Sequence, residues 1–143
     1  MLTPVTPYGS WIATQAGVPT GMGGFNDDAN GDGIANGLAW FLGGSAMSDV
    51  RAVLPVETQS AGMVQLNFNR RHDSGGATLY LEYGTSLSDW VSVAIPASTI
   101  TGVGTTGMNI VITPGTDLDQ VSVQVPVSAG AGKQLFLRLR AQQ

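Results

Sequence analysis

The spacing of the apolar residues changes near residue 52, and this change constrains the fold more than any other feature of the sequence. Beyond that point apolar and polar residues alternate in short segments, which turn-forming clusters such as residues 73–76 and 113–115 separate. A period of two is the pattern of strands that bury one face. Seven segments are therefore predicted to be strands: residues 52–57, 63–70, 77–83, 90–95, 108–113, 120–127 and 134–141.

Residues 8–48 show helical spacing and loop composition instead of alternation. One short helix is predicted over residues 11–16, with Ser10 as its N-cap, because a serine hydroxyl accepts a hydrogen bond from the first helical turn. A second helix is predicted over residues 35–42 and ends at Gly43, since glycine is common just after a helix.

These patterns predict a mainly β fold in a single domain, residues 1–143. An antiparallel β-sandwich of about seven strands, residues 52–141, follows a small helical cap, residues 8–48, with a loop rich in Asp, Asn and Gly. Hydrophobic residues make up 43% of the chain, which suffices for a packed core. No apolar run has the length of a membrane span, and the absence of cysteine excludes a disulfide scaffold and thiolate zinc sites.

The negative charge of the chain is concentrated near its N-terminus. Residues 1–50 contain four aspartates and no lysine or arginine, so they account for the entire formal net charge of −4. Three of these aspartates, Asp27, Asp28 and Asp32, fall within six positions, which indicates a cation site. No basic patch is interleaved with aromatic residues, so nucleic acid is not an expected partner.

The aspartate cluster has the spacing of a calcium loop. Oxygen-bearing side chains stand at Asp28, Asn30, Asp32 and Asn36, which correspond to positions 1, 3, 5 and 9 of an EF-hand loop, and Gly33 stands at position 6. Alternate oxygens converge on a hard cation when such a loop coils around it, and the glycine permits the sharp turn. The sequence therefore predicts a Ca²⁺ site at this loop.

The other ligand positions of the loop are less regular. Ile34, at position 7, is expected to contribute its backbone carbonyl while its side chain packs into the core. Position 12 is a bidentate glutamate in an EF-hand and is Ala39 here. We expect Asp27 or water to fill the gap. The alternative interpretation is a metal-free loop in which Asx turns cap the following helix.

Five stretches of the sequence resemble a known family: residues 8–12, 28–36, 37–44, 81–90 and 135–140. They look like the C-terminal β-sandwich domain of large secreted bacterial surface proteins, with a thrombospondin-type-3 or dockerin-like calcium loop. The resemblance extends over nearly the whole chain, although the family usually has glutamate where Ala39 stands. It implies an extracellular or cell-surface module that anchors, sorts or assembles a larger protein, with the other domains of that protein as partners.

The sequence offers no catalytic set. His72 is the only histidine, no nucleophile-elbow motif is present, and Glu57 and Glu82 fall on predicted strands as solvent-facing residues. We therefore expect no enzyme activity and no catalytic residues. Self-association through sheet edges is a further expected contact, because an edge strand can pair with another chain.

The three tryptophans leave a second function open. Trp11 and Trp90 are predicted to be core residues, because tryptophans at such positions usually anchor a helix to a sheet. Trp40 lies beside the apolar stripe of its helix and is less firmly assigned to the core. Tryptophans that stack on sugar rings instead would make the chain a carbohydrate-binding module of a secreted polysaccharide-degrading enzyme.

Overall fold

The computed structural model describes residues 6–60, 62–103, 107–130 and 134–143. In chain order its elements are α1 (Pro7–Ile12), α2 (Asn36–Phe41), a 3₁₀ turn (Arg51–Val53), β1 (Val56–Ser60), β2 (Met63–Arg71), β3 (Thr78–Gly84), β4 (Val91–Ala94), β5 (Ile100–Val103), β6 (Met108–Thr113), β7 (Leu118–Pro126), a second 3₁₀ turn (Val127–Gly130) and β8 (Phe136–Gln142). None of the helices in these ranges has the length and apolar character needed to cross a membrane.

The strands form two antiparallel sheets. Over the described residues one sheet has the strand order β1-β2-β7-β6-β5, and the other has the order β4-β3-β8. Along β2, β6 and β7 every second side chain is buried, and these inward-facing residues pack with Leu79 and Leu81 of β3 in one core. The predicted fold class, a mainly β antiparallel sandwich with small helices at the N-terminus, is confirmed.

Two strand assignments differ from the prediction. Residues 52–57 do not form one strand: the N–H of Val53 donates to the carbonyl of Val50 at 3.0 Å, which closes a 3₁₀ turn, and β1 begins only after Pro55. The strand β5 is not predicted at all. It contains Gly102 at a φ of 67° and pairs irregularly with β6, so its backbone interrupts the period of two on which the prediction depends.

The first helix is also displaced from its predicted position. It spans α1 rather than residues 11–16, because Thr6 is the N-cap: the Thr6 hydroxyl accepts a hydrogen bond from the N–H of Gly9 at 3.0 Å, and Pro7 occupies the first helical position. A proline there loses no helical hydrogen bond. The second helix agrees with the prediction to within one residue at each end, and Gly43 follows it with a φ of 81°.

The helical segment is joined to the sandwich through α2, which packs against β2 and β8. The Nε of Arg71, at the end of β2, donates to the carbonyl of Trp40 at 2.9 Å. Around this contact Tyr8, Phe25, Trp40 and Phe41 form an aromatic cluster with ring centroids 4.9–6.5 Å apart. The position of α2, and of the loop that precedes it, is therefore set by the main core.

The tryptophan assignments differ in part from the prediction: Trp11 packs against the core as predicted, whereas Trp40, which the sequence left open, is the tryptophan that is fully enclosed. Trp40 is only 2% exposed and belongs to the core, so it cannot be a sugar-stacking platform. Trp11 and Trp90 are half-buried instead of fully enclosed. The helical stripe of Leu38, Phe41 and Leu42 does not mark Trp40 as buried, because rings from outside this helix, those of Tyr8 and Phe25, pack against it.

Glu82 also differs from its predicted environment. It lies on the outer face of β3 as the alternation predicts, yet it is 4% exposed because Ser92, Arg138 and Arg140 surround its carboxylate. Glu57 is exposed as predicted.

Candidate functional site

The loop with the predicted calcium ligands connects the 22–25 segment to α2. Its end is anchored by two backbone hydrogen bonds: the N–H of Asn36 donates to the carbonyl of Asp27 at 2.7 Å, and the N–H of Gly37 donates to the carbonyl of Phe25 at 2.8 Å. Gly37 lies so close to the Phe25 ring that a Cβ built there would be 2.4 Å from it. The loop is therefore exposed at its tip and held by the core at its base.

Three of the predicted ligands lie together at the exposed tip. Asp28 Oδ1 accepts hydrogen bonds from the N–H groups of Gly31 and Asp32 at 2.9 and 3.2 Å, and Asp28 Oδ2 accepts from Gly33 at 2.8 Å. Asn30 Oδ1 accepts from the N–H of Asp32 at 3.2 Å, while Asn30 Nδ2 donates to Asp32 Oδ2 at 3.1 Å. The side-chain oxygens thus turn inward over the loop backbone.

Hydrogen-bonding capacity shows which of these oxygens has room for a cation. An ionised carboxylate accepts about four hydrogen bonds. From the described residues Asp28 accepts three, whereas Asp32 accepts two, one from Asn30 and one from the N–H of Ile34 at 2.9 Å. Of the two carboxylates at the tip, Asp32 therefore has more remaining capacity to bind a metal ion. Asp28 and the side-chain oxygen of Asn30 are additional ligand oxygens.

Asn36 and Asp27 are directed elsewhere. Asn36 is 1% exposed, and its amide accepts from the N–H of Ala29 at 3.1 Å and donates to the carbonyls of Met22 and Gly24 at 2.8 and 3.1 Å. Asp27 Oδ2 accepts from the N–H of Gly24 at 2.8 Å. Both side chains hold the neighbouring glycine-rich segment against the loop.

The remaining two positions of the motif differ in burial. Ile34 is half-buried and lines a surface cleft rather than the main core. Ala39 is 2% exposed and lies inside α2. Position 12 therefore provides no side-chain ligand, because alanine has no oxygen and its methyl group is buried in the core.

The cleft beside the loop contains residues that sequence reasoning placed outside the site. It has a volume of about 490 Å³ and is lined in part by Asn30, Asp32, Asp49 and Arg51. Asn30 Nδ2 donates to the carbonyl of Ser48 at 2.9 Å, which holds the loop tip near this segment. No sequence spacing relates Asp32 to Asp49. The two carboxylates line one cleft because the segment that follows α2 folds back beside the loop.

A cation is already present in this cleft as the Arg51 guanidinium. It forms an ion pair with Asp49, which raises the pKa of Arg51 and lowers the pKa of the Asp49 carboxyl, and the charge of Asp32 raises the pKa of Arg51 further. Arg51 therefore partly offsets the charge of the loop.

The side-chain oxygens at the tip are too few to form a closed cage around a metal ion. Among the described residues no group of three or more histidine, aspartate or glutamate side chains is placed to hold a metal ion. The tip supplies two carboxylates and one amide oxygen, whereas calcium takes about six to eight oxygens. Backbone carbonyls and water would have to complete the shell.

A second group of titratable residues lies at the end of β2, away from the loop. His72 Nδ1 lies 2.7 Å from Oδ1 of the buried Asp119, whose Oδ2 accepts from Arg70 Nη2 at 2.8 Å. Within the described ranges the side-chain hydrogen bonds of His72 end at Asp119, so no hydroxyl nucleophile is paired with it. The carboxylate therefore joins the end of β2 to the start of β7.

Comparison of the chain with models of protein families, with curated proteins and with solved structures finds no match. The function must therefore be inferred from the chemistry of the loop and of the sheet surfaces.

Proposed function

We propose that this chain is a non-enzymatic, calcium-binding module of a larger bacterial protein, located outside the cell or on its surface, where it anchors, sorts or assembles that protein. One observation carries the proposal: the oxygens of Asp28, Asn30 and Asp32 gather at the exposed tip of a loop whose base is built into the core. The resemblance to secreted surface modules supports the same function.

Calcium would act on this chain as a local clamp. Asp28 and Asp32 repel each other across the loop, and a divalent ion between them removes that repulsion. Because the loop leads directly into α2, and α2 packs on β2 and β8, the ion would stabilise the junction between the helical segment and the sandwich. With few protein ligands, the dissociation constant should lie in the weak extracellular range of about 10⁻⁴–10⁻³ M.

The non-catalytic part of the proposal is supported by the state of the buried carboxylates. Glu82 and Asp119 are the buried acids among the described residues, and both are paired with arginine. A general acid or base needs a carboxyl group that can exchange a proton with a substrate. Ion pairing keeps these two ionised and occupied.

Assembly through sheet edges is the contact we propose for this module. The strand β1 pairs only with β2 among the described strands, and Val56 on it is 62% exposed. An edge strand offers unpaired backbone groups to another domain or to a second copy. Light scattering over a wide concentration range tests the second-copy version, which a monomer at every concentration would exclude.

Calcium binding is tested by thermal unfolding with about 5 mM calcium and with excess chelator. At the expected affinity, ligand linkage stabilises the folded chain by about 1–2 kcal/mol, which should raise the Tm by several degrees. Asp32→Asn keeps the shape of the side chain and removes its charge, so it should abolish the difference. Magnesium at the same concentration should have a smaller effect, because it demands a tighter octahedral shell.

The matched control is Glu57→Gln, which removes an equally exposed carboxylate from β1. It should leave the calcium response unchanged. Asp49 is unsuitable as a control because it shares the cleft with Asp32. Superimposed wild-type melts, together with no calcium heat in titration calorimetry, would show that the loop is a metal-free cap.

A further inference from the structure

The outer face of the three-stranded sheet carries a row of aromatic and charged side chains that the calcium loop does not involve. The register pairs Glu82 with Arg138 and Tyr80 with Arg140, so all four residues lie on one face of β3 and β8. Trp90, just before β4, completes the row. We call this group, Tyr80, Glu82, Trp90, Arg138 and Arg140, the arginine face.

Glu82 holds the two arginines in place. Its Oε1 accepts from Arg138 Nε at 2.8 Å, its Oε2 accepts from Arg140 Nε at 3.1 Å, and Ser92 donates to it as well. A buried ion pair contributes little net stability, because desolvation offsets the attraction. Its consequence here is geometric, since both guanidinium groups are fixed through Nε.

Two aromatic rings also hold these guanidinium groups in place by cation–π contacts. The Cζ of Arg138 lies 3.9 Å from the Trp90 ring centroid, and the Cζ of Arg140 lies 4.3 Å from that of Tyr80. The Trp90 ring is itself held by a hydrogen bond from its Nε1 to the carbonyl of Leu87 at 3.1 Å. Arginines that are oriented before binding lose less conformational entropy when a ligand arrives.

The arginine face itself carries two guanidinium groups and one carboxylate, and a further carboxylate, Asp89, lines the cavity next to Trp90. The Arg138 and Arg140 side chains are 47% and 38% exposed. In the described ranges the Nη atoms of Arg138 have no hydrogen-bond acceptor, whereas Arg140 Nη1 donates to Gln142 Oε1 at 2.8 Å, so Arg138 is the arginine with both Nη atoms available for a carboxylate. Other described arginines are engaged differently: Arg70 is buried against Asp119, and Arg51 pairs with the exposed Asp49.

A cavity next to Trp90 adds a second kind of recognition. It measures about 420 Å³ and is lined by Thr85, Ser88 and Asp89 as well as by the tryptophan. Hydroxyl and carboxylate groups beside an aromatic ring suit the hydroxyls and the apolar face of a pyranose. Of the arginine face only Trp90 lines this cavity, so a chain with one sugar in the cavity would have to extend past Trp90 to bring an acidic substituent to the arginines.

We propose that the arginine face binds an acidic polysaccharide, with Arg138 and Arg140 engaging the carboxylates of uronic acid residues and Trp90 contacting a sugar ring. A planar guanidinium matches a carboxylate with two parallel hydrogen bonds. The two arginines are two residues apart on one strand, about 6.6 Å between Cα atoms, so they can contact successive parts of one extended chain. Binding at this face does not depend on calcium at the loop.

The test uses polygalacturonate as the probe and its fully methyl-esterified form as the uncharged counterpart. Binding is measured by affinity electrophoresis and calorimetry at low salt with chelator present, because calcium could otherwise bridge the polymer to the loop. The wild type should bind the charged polymer and bind the ester at least tenfold more weakly, and binding should weaken with added salt. Equal binding of both polymers, or of neither, would overturn the proposal.

Substitutions of single arginines test whether the polysaccharide binds at the arginine face. Arg138→Gln should weaken binding about 10- to 100-fold, the range for loss of a hydrogen bond to a charged group. Arg138→Lys retains a charge beside Glu82 and serves if the glutamine variant fails to fold; it should still weaken binding severalfold, because an ammonium cannot make the paired contact. Arg51→Gln removes an exposed arginine elsewhere and should bind as the wild type does. An equal loss in Arg51→Gln would mean nonspecific attraction and refute the assignment.

Discussion

The buried Asp119 should make the stability of this protein fall steeply in acid. Its carboxylate is 2% exposed and accepts hydrogen bonds from Arg70 Nη2 at 2.8 Å and from the N–H of Gly115 at 3.1 Å, with His72 Nδ1 at 2.7 Å. Burial alone raises the pKa of a carboxyl group. Here the hydrogen bonds and the charge of Arg70 outweigh burial and lower the pKa of Asp119 from 3.8 to about 2.

The sign and size of the effect are set by proton linkage. Because the folded-state pKa is the lower one, the unfolded chain binds the proton more readily, and acid favours unfolding. The stabilisation is fully present above about pH 4 and is lost as the pH falls through the folded-state pKa of about 2. At 1.36 kcal/mol per pKa unit, its loss amounts to about 2 kcal/mol.

The assay is urea unfolding between about pH 6 and pH 2 for the wild type and for Asp119→Asn. The asparagine variant leaves Arg70 without its buried partner and should be less stable by roughly 3–5 kcal/mol at pH 6. Since asparagine does not titrate, the difference between the two proteins should shrink by about 2 kcal/mol at the acid end of the range. A constant difference for Asp119→Asn would refute the reasoning.

Three substitutions away from the proposed binding sites test the packing, each by the urea midpoint at neutral pH. Trp40→Ala should cost roughly 3–5 kcal/mol because the ring is buried, and Trp11→Ala should cost less than half of that; equal losses would contradict the assigned burial. Asn36→Ala should cost about 2–4 kcal/mol, since the N–H of Ala29 and the carbonyl of Met22 lose their partner and the carbonyl of Gly24 loses one of three hydrogen bonds. A loss below about 1 kcal/mol would exclude that role. Gly115→Ala places a Cβ 1.9 Å from the Leu118 carbonyl oxygen, so it should cost about 2 kcal/mol or more; a neutral result would mean that the turn has another shape.

The loop over residues 28–36 shows how far a spacing pattern can predict the arrangement of side chains. Spacing places Asp28, Asn30 and Asp32 at the loop tip, because alternate residues of a tightly coiled loop face its interior, and the structure brings these three together. Spacing does not show that Asn36 differs from these three residues, although its side-chain amide donates hydrogen bonds to the 22–25 segment. It also does not indicate that Asp49 approaches the same cleft.

The sequence by itself determines the local structure of each segment, which depends only on the residues of that segment. The inward and outward faces of β2, β6 and β7, the helix α2 and the turn at Gly43 are of this kind, because side-chain alternation and backbone preference are local properties. The helix α1 is also predictable from Thr6 and Pro7, if their capping signal is weighed above that of Ser10.

Only the tertiary structure decides which outward-facing or loop residues become enclosed. Glu82 lies on the outer face of its strand, but the long side chains of Arg138 and Arg140 on the neighbouring strand fold over it. Trp40 is buried by α1 and the 22–25 segment, which come from elsewhere in the chain. Burial at these positions depends on which strand or helix lies alongside. The spacing of apolar residues within a segment does not indicate which distant segment packs against it.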